Sequence, residues 1–252
     1  MDLELKGLKV IITGGSRGIG RAAAEIFAAE GCDIGFFSRR RADVDATIES
    51  LSRHGNKVIG DTFDMNDAED FPGWLTGTAE MLGGCDIFIH GASSSGSQLA
   101  TDWDASYSFD LRGTVRGCEA LQPFLEKSDH GSVIVMASTA ALETFAAPNA
   151  FNAIKAALLT YSKQLSQAWG PLGIRVNAIS PGPIYFEGGN WDTVKEDRPD
   201  YYDATLEKTA LGRFGVAEDV AKTLVFLASP ASRHTTGTNI VIDGGFTKRV
   251  QF

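Results

Sequence analysis

A short apolar run near the start of the chain passes through a glycine-rich turn into a helix-forming segment, and this order limits the fold strongly. Residues 10–12 are β-branched, which is typical of a buried strand, and the alanine-rich segment 21–29 favours a helix. Gly14, Gly18 and Gly20 lie between them. Such glycines let the backbone approach an anion closely and direct the free N–H groups of the helix toward it. The segment therefore predicts a pyrophosphate-binding turn, although its spacing differs from G-x-G-x-x-G.

The remainder of the chain repeats this order of strand followed by helix. Apolar and β-rich runs predict strands at 10–13, 33–37, from 57, 86–89, 132–136, 174–179 and 239–242, and helical patterns fall at 21–29, 42–54, 74–82, 103–125, 149–169 and 217–228. This alternation predicts an α/β fold with a doubly wound parallel sheet of about seven strands, of Rossmann type. Residues 1–252 are expected to form one domain, with ligands bound at the carboxyl ends of the strands.

Composition excludes several classes of partner. The net charge of −9 argues against binding to nucleic acid, because such proteins usually present a basic face. The start of the chain lacks a basic leader, and no run approaches the roughly 18 apolar residues that cross a bilayer. We therefore expect no membrane or nucleic-acid partner and a cytoplasmic location.

The cysteines and histidines show no metal-binding or redox pattern. Cys32, Cys85 and Cys118 lack C-x-x-C spacing, so we expect buried, inert thiols in a reducing compartment. The four histidines are scattered along the chain, and no metal site is predicted.

A long polar segment after Pro181 interrupts the alternation of strands and helices. It carries several large aromatic residues, namely Tyr185, Phe186, Trp191, Tyr201 and Tyr202. A connection of this length usually forms a lid or binding loop, so we predict a substrate lid over about 183–212, with Gly188 and Gly189 as a hinge. The alternative is that the segment simply packs on the body of the protein.

Several motifs in the expected order resemble the short-chain dehydrogenase/reductase family over nearly the whole chain. They are Thr13-Gly14-x-x-x-Gly18-Ile19-Gly20, residues 174–177 followed by Pro181-Gly182, and Asp243-Gly244-Gly245. The resemblance implies a Rossmann-type fold, a nicotinamide cofactor and a small-molecule substrate. It also implies a homo-oligomer, either a dimer or a tetramer, in which the helices at 103–125 and 149–169 form one interface.

The choice of cofactor follows from the end of the second predicted strand. A carboxylate there would bind the ribose hydroxyls of NAD(H) and repel a 2′-phosphate. This chain instead has Ser38 followed by Arg39, Arg40 and Arg41, with Arg17 in the glycine turn. Guanidinium groups suit a phosphate, so NADP(H) is favoured over NAD(H). The alternative is a basic helix start exposed to solvent.

The resemblance also assigns the residues that hold the cofactor. Asp64 and Met65 are expected to contact the adenine, Ala92 and Ile184 to line the cofactor, and Lys155 to hold the nicotinamide ribose. The predicted cofactor-binding residues are Gly14, Ser16, Arg17, Gly18, Ile19, Gly20, Ser38, Arg39, Asp64, Met65, Ala92, Lys155 and Ile184.

The expected catalytic group departs from the family pattern. In the family a tyrosine gives a proton to the carbonyl oxygen, a serine holds it, and a lysine four residues later assists. Ser138 and Lys155 match the serine and the lysine, but Phe151 occupies the tyrosine position and has no proton to give. The family's asparagine falls on Asp110, and residues 90–93 replace its Asn-Asn-Ala-Gly segment.

These departures leave three interpretations open. Asp110 could donate the proton, directly or through a water near Lys155, as in the similar peroxisomal type of dienoyl-CoA reductase, which is NADPH-dependent and reduces a conjugated C=C bond of an acyl thioester. Tyr185 could instead serve an ordinary carbonyl reductase or alcohol dehydrogenase. In the third interpretation the protein binds NADP(H) without catalysis, as a sensor or silent subunit. His90 is expected to be a hydrogen-bonded structural residue.

Overall fold

The computed structural model describes residues 1–65, 69–94, 101–144 and 148–250. Its strands are β1 (Lys9–Thr13), β2 (Asp33–Ser38), β3 (Val58–Thr62), β4 (Ile87–His90), β5 (Ser132–Met136), β6 (Arg175–Pro181), β7 (Ile184–Tyr185), β8 (Gly215–Val216) and β9 (Asn239–Ile242). Seven of them form one sheet in the order β3-β2-β1-β4-β5-β6-β9, and every neighbouring pair is parallel. The prediction of a single-domain, doubly wound, Rossmann-type sheet is confirmed.

Helices cover both faces of this sheet. They are α1 (Gly18–Ala29), α2 (Arg41–Ser52), α3 (Phe71–Leu82), α4 (Trp103–Ser106), α5 (Gly113–Leu125), α6 (Ala150–Trp169), α7 (Asn190–Asp197), α8 (Pro199–Leu206) and α9 (Ala217–Ala228). A π-helical turn, Tyr107–Arg112, connects α4 to α5. The long helix predicted at 103–125 is therefore continuous in path but contains one widened turn.

Alternation along β1 divides the core into two layers. Val10 and Ile12 pack with α1 and α9 on one face, whereas Ile11 packs with α3 and α5 on the other. All three side chains are fully buried. Burying such a side chain stabilises a fold by about 1.5–3 kcal/mol, which is why a strand in a doubly covered sheet is apolar on both faces.

The segment 181–212 has more regular structure than the sequence suggested. It contains β7, α7 and α8, and β7 pairs with β8 in a separate two-stranded sheet. Trp191, Tyr202 and Phe214 pack together, with ring centroids 4.7–6.3 Å apart. Helices of eight residues carry too few turns to show a clear apolar period, so the pattern predicted only a long connection.

The three cysteines are free and buried, as predicted. Burial raises the pKa of Cys32 and of Cys118 to about 12, so both are neutral thiols. In the described ranges, no cluster of histidine, cysteine and carboxylate side chains could hold a metal ion. Nor does any described helix combine the length and the apolar character that crossing a membrane requires.

Candidate functional site

The glycine turn between β1 and α1 is packed so closely that its shape requires glycine. A Cβ on Gly20 would lie 2.3 Å from the Gly14 carbonyl oxygen, and a Cβ on Gly14 would lie 3.0 Å from the Ala92 nitrogen. Gly14 and Gly18 also adopt positive φ angles of 72° and 53°, which favour glycine. Arg17, at the N-cap of α1, makes no side-chain hydrogen bond to the first N–H groups of the helix, and the first turn of α1 carries no acidic residue. This turn fits a pyrophosphate, which would accept from those N–H groups.

The side chain of Thr13 joins the glycine turn to the end of β4. Its Oγ1 accepts from the backbone N–H groups of Gly91 and Ala92, at 3.1 and 3.2 Å, and donates to Nδ1 of His90 at 3.0 Å. Nε2 of His90 then donates to the Phe109 carbonyl at 2.9 Å, in the π-helical turn. Thr13 therefore holds Ala92 beside the glycine turn, and His90 links Thr13 to the helix turn that carries Asp110. These hydrogen bonds agree with the structural role expected for His90.

Burial of this histidine predicts a loss of stability in mild acid. Desolvation lowers the pKa of His90 to about 4, below its unfolded value of about 6.5, so the unfolded chain binds the proton more readily. The His90 contribution to stability is thus present above pH 6.5 and falls as the pH decreases toward 4. At pH 5 we expect a loss of about 2 kcal/mol relative to pH 7 from this residue.

Urea unfolding of wild type and His90→Asn at pH 7 and pH 5 measures that contribution. The asparagine side chain carries no titrating group, so the variant should lose about 2 kcal/mol less than wild type over this interval. Equal losses in the two proteins would contradict the assignment. Other acid-sensitive groups, including Asp110, are common to both and cancel in the comparison.

Residues from β5, α6 and the π-helical turn form the candidate catalytic cluster. Lys155 is 4% exposed, and its Nζ donates to the Met136 carbonyl at 2.7 Å and lies 2.9 Å from Oδ1 of Asp110. Phe151 lies one helical turn before Lys155, with its ring centroid 5.4 Å from Nζ. Ser138 follows β5, and its Oγ accepts from the Ala140 N–H at 3.1 Å. The sequence prediction thus named a lysine, a carboxylate and a ring that the structure brings together.

Asp110 is 1% exposed and is surrounded by donors. Oδ1 accepts from the Ser93 hydroxyl, and Oδ2 accepts from the Ser94 hydroxyl and from its N–H at 3.0 Å. Burial raises the pKa of Asp110, but the Lys155 ammonium and the serine hydrogen bonds outweigh burial, so the pKa lies below its usual value. The carboxylate is therefore ionised at neutral pH, which argues against Asp110 as the direct proton donor.

Tyr185, the alternative donor, is held within its own segment. Its hydroxyl donates to Oδ1 of Asp192 at 2.7 Å, and Oδ2 of Asp192 accepts from the Gly188 N–H at 2.8 Å. The hydrogen bond to Asp192 raises the pKa of the Tyr185 phenol, which makes it a weaker acid. Ile184, the residue before Tyr185 in β7 that was predicted to line the cofactor, is 7% exposed.

The arginines after β2 are not equivalent. Arg40 pairs with Asp43 at 2.7 Å and Arg41 with Asp45 at 2.8 Å, so both charges are partly neutralised. In contrast, Arg39 and Arg17 are exposed and form no ion pair within the described chain. Two of the four arginines that the sequence predicted near a phosphate, Arg40 and Arg41, thus already have an acidic partner.

The remaining predicted cofactor residues lie near the carboxyl ends of the strands. Ser16 in the glycine turn contacts Ser38 at the end of β2, Asp64 and Met65 follow β3, and Met65 is 7% exposed. Ile19 lies in the first turn of α1 and packs against the core.

No sequence pattern selects Ser94 or the Met136 carbonyl, because each acts through a contact that only the fold creates. The change from asparagine to Asp110 beside an expected lysine was the one available signal.

Comparison with known proteins identifies the class. Residues 14–247 match a family model described as enoyl-(acyl carrier protein) reductase. A short-chain dehydrogenase/reductase from Serratia marcescens has a similar structure, with a TM-score of 0.86 and 26% identity over 96% of this chain and 99% of that one. The chain belongs to the short-chain dehydrogenase/reductase family.

Two relatives show the kinds of enzyme to which the chain is similar. It is 37% identical to the isoepoxydon dehydrogenase of Penicillium expansum, over 98% of both chains. It is 31% identical to the NADP-dependent mannitol dehydrogenase of Hypocrea jecorina, over 99% of this chain and 96% of that one. The protein is accordingly an oxidoreductase of this family, and such a fold binds a nicotinamide cofactor.

Proposed function

We propose that this oxidoreductase is NADP(H)-dependent and reduces a C=C bond conjugated to a carbonyl group in a small apolar or acyl substrate. The observation that carries the proposal is the cluster around Lys155, in which Phe151 stands where the family's tyrosine is expected and Asp110 is ionised. The cluster can stabilise negative charge on a substrate oxygen, but Phe151 and Asp110 have no proton to deliver to it.

The cofactor, when bound, supplies the hydride. The N–H groups at the start of α1 would hold its pyrophosphate, and Ala92 and Ile184 would line the remainder of its site. Two of the three Lys155 hydrogens bind Asp110 and the Met136 carbonyl. The third is left for a ribose hydroxyl.

Preference for NADP(H) is supported by the charge at the end of β2. Ser38 replaces the carboxylate that NAD-dependent enzymes place there, and Arg39 is exposed without an ion pair among the described residues. A guanidinium in that position can form charge-assisted hydrogen bonds with a 2′-phosphate. The name of the Hypocrea jecorina relative, which includes NADP, agrees with this preference.

Reversing the charge of Arg39 should reverse the preference. We expect Arg39→Asp to weaken NADPH binding by about tenfold or more, because a charge-assisted hydrogen bond is lost and a repulsive carboxylate is gained. NADH should bind more tightly to the same variant. Arg53→Asp, which makes the same charge change on an exposed side chain just beyond the far end of α2, is the control. Dissociation constants for both cofactors measure the effect, and an unchanged ratio in Arg39→Asp would contradict the assignment.

Ser138 and Lys155 have the geometry to stabilise developing charge. The Ser138 oxygen accepts from the Ala140 N–H, and in the described part of the chain its hydroxyl hydrogen has no acceptor. That hydrogen can donate to a substrate oxygen while the fixed Lys155 ammonium supplies positive charge nearby. Asp110 and the two serines that bind it keep the ammonium in place.

The absence of a tyrosine favours a conjugated substrate. Hydride addition to an isolated ketone produces an alkoxide, a strong base that needs a proton as it forms. Hydride addition to the far carbon of a conjugated C=C bond spreads the charge into an enolate, a weaker base that hydrogen bonds can stabilise. A proton from water then reaches the adjacent carbon and completes the reduction.

An ordinary hydroxyl or carbonyl oxidoreductase is the second candidate. The names of the isoepoxydon and mannitol dehydrogenases favour it, since both are called dehydrogenases. In this case Tyr185 would act as the proton donor, after its hydroxyl leaves Asp192.

NADPH oxidation with matched ketones, enones and enoyl thioesters separates the candidates. Turnover of the conjugated compounds alone supports our proposal, turnover of the simple ketones that is lost in Tyr185→Phe supports the second, and failure of all would leave a non-catalytic NADP(H) binder.

We also propose that the enzyme acts as a homo-oligomer in the cytoplasm, with the segment 183–212 as its substrate lid. Trp103 and Tyr107, in and just after α4, are 58% and 50% exposed, which is unusual for large aromatic side chains. They lie on the helical region for which the resemblance implies an interface. The Asp192 contacts with Tyr185 and Gly188 would hold the lid in one shape.

A further inference from the structure

A chain of hydrogen bonds leads from the glycine turn to the start of α2. Ser16 Oγ donates to Ser38 Oγ at 3.0 Å, and Ser38 Oγ donates to Oδ2 of Asp43 at 3.5 Å. Ser38 ends β2, and Asp43 lies in the first turn of α2. The Asp43 carboxylate therefore lies at the edge of the region that our proposed function assigns to the adenosine ribose.

Arg40 binds the same carboxylate with both arms of its guanidinium. Nε donates to Oδ2 at 2.7 Å and Nη2 donates to Oδ1 at 2.8 Å. The Arg40 side chain is nevertheless 77% exposed, so this group is open to an incoming ligand. A forked guanidinium together with a serine hydroxyl is a set of donors that phosphate groups accept from in proteins.

The neighbouring pair of charges differs in one respect. Arg41 and Asp45 form a similar ion pair in the same turn of α2, but both are more than half exposed and the described contacts do not connect them to the glycine turn. Asp43 is 26% exposed and shares its Oδ2 between Arg40 and Ser38. Of these two pairs, only that of Asp43 thus engages donors that face the cofactor region.

We infer that the Asp43 carboxylate occupies the position of a 2′-phosphate and competes with it for Ser38 and Arg40. This inference rests on the proposed NADP(H) preference. A phosphate that enters this position must displace the carboxylate from its donors and meets its negative charge. Asp43 is therefore a specificity-determining residue that weakens binding of the phosphorylated cofactor, and its removal should strengthen that binding.

Calorimetric binding of adenosine 2′,5′-bisphosphate and of 5′-AMP tests this without any catalysis, because the two ligands differ only in the 2′-phosphate. Wild type should bind the bisphosphate more tightly. Asp43→Asn should raise the affinity for the bisphosphate about fivefold, as expected for a partly exposed ion pair. Its affinity for 5′-AMP should stay within about twofold of the wild-type value. Asp45→Asn makes the same charge change and should alter neither affinity, and added salt should reduce the gain in Asp43→Asn.

The possible outcomes separate the inference from the function on which it rests. Equal bisphosphate affinities in Asp43→Asn and Asp45→Asn, or a weaker affinity in Asp43→Asn, would overturn the inference while the NADP(H) preference stands. Equal binding of both ligands by wild type would overturn the preference itself. If Asp43→Asn binds neither ligand, Arg40→Gln provides the second test. This variant should bind the bisphosphate more weakly than wild type does and should bind 5′-AMP equally well. An unchanged affinity for the bisphosphate would overturn the inference.

Discussion

Replacing Asp110 by leucine should destabilise the protein by about 3–5 kcal/mol, because Lys155 would remain buried with no opposite charge. The side chains of Lys155 and Asp110 are 5% and 1% exposed, so water cannot replace the lost partner. The Ser94 N–H and hydroxyl would also lose the acceptor that they share. Chemical unfolding of wild type and variant at pH 7 measures the difference.

Two further variants show whether the loss comes from the unpaired charge. Asp45→Leu removes one partner of an exposed ion pair and should cost less than about 1 kcal/mol. The double variant Asp110→Leu with Lys155→Met contains no buried charge at this site and should be more stable than Asp110→Leu by at least about 2 kcal/mol. If the two substitutions instead destabilise additively, Asp110 and Lys155 do not depend on each other as the structure implies.

Phe151→Tyr should give the enzyme a ketone reductase activity that is about a hundredfold or more above the wild-type rate. A general acid typically accelerates such a step by about 10²–10⁴-fold, and the ring already lies 5.4 Å from the Lys155 ammonium. Reduction of conjugated C=C bonds should change far less, because it does not depend on a phenol in our account. Initial rates of NADPH oxidation with matched ketones and enones measure both effects.

Phe226→Tyr is the matched control for this substitution. Phe226 lies on α9 and is 36% exposed, so an added hydroxyl there should change neither rate. The assignment of Phe151 to the tyrosine position fails if Phe151→Tyr binds NADPH normally and gains no ketone reductase activity.

The main sheet and its helices could be predicted because each depends on a local pattern. The run at 10–12, the glycine turn and the paired signatures near Pro181 and Asp243 each give their signal within a few residues. The π-helical turn at 107–112 and the short helices α7 and α8 could not be predicted in this way. Such a turn adds one residue to a helix without changing its composition, and the contacts of Asp192 at the start of α7 with Tyr185 and Gly188 are not visible in the sequence.

In the candidate site too, some features follow from the sequence pattern and others depend on contacts that only the fold creates. Ser138, Lys155 and Phe151 could be selected because they match positions in the family pattern, and Asp110 because it replaces the asparagine of that pattern. The state of Asp110 could not be predicted, because it depends on Ser93, Ser94 and Lys155, which come from different elements. The role that we propose for Asp43 could not be predicted either, because the sequence does not show that Ser38 contacts Asp43 rather than Asp45.

The position of the transferred hydride distinguishes reduction of a conjugated C=C bond from reduction of a carbonyl group. Wild-type enzyme should be supplied with deuterium-labelled NADPH and a cyclic α,β-unsaturated ketone, and the product should be analysed by NMR. We predict a saturated ketone with deuterium on the β-carbon, because we propose that Ser138 and Lys155 stabilise an enolate and Phe151 carries no phenol hydroxyl. An allylic alcohol with deuterium on the carbonyl carbon would contradict it.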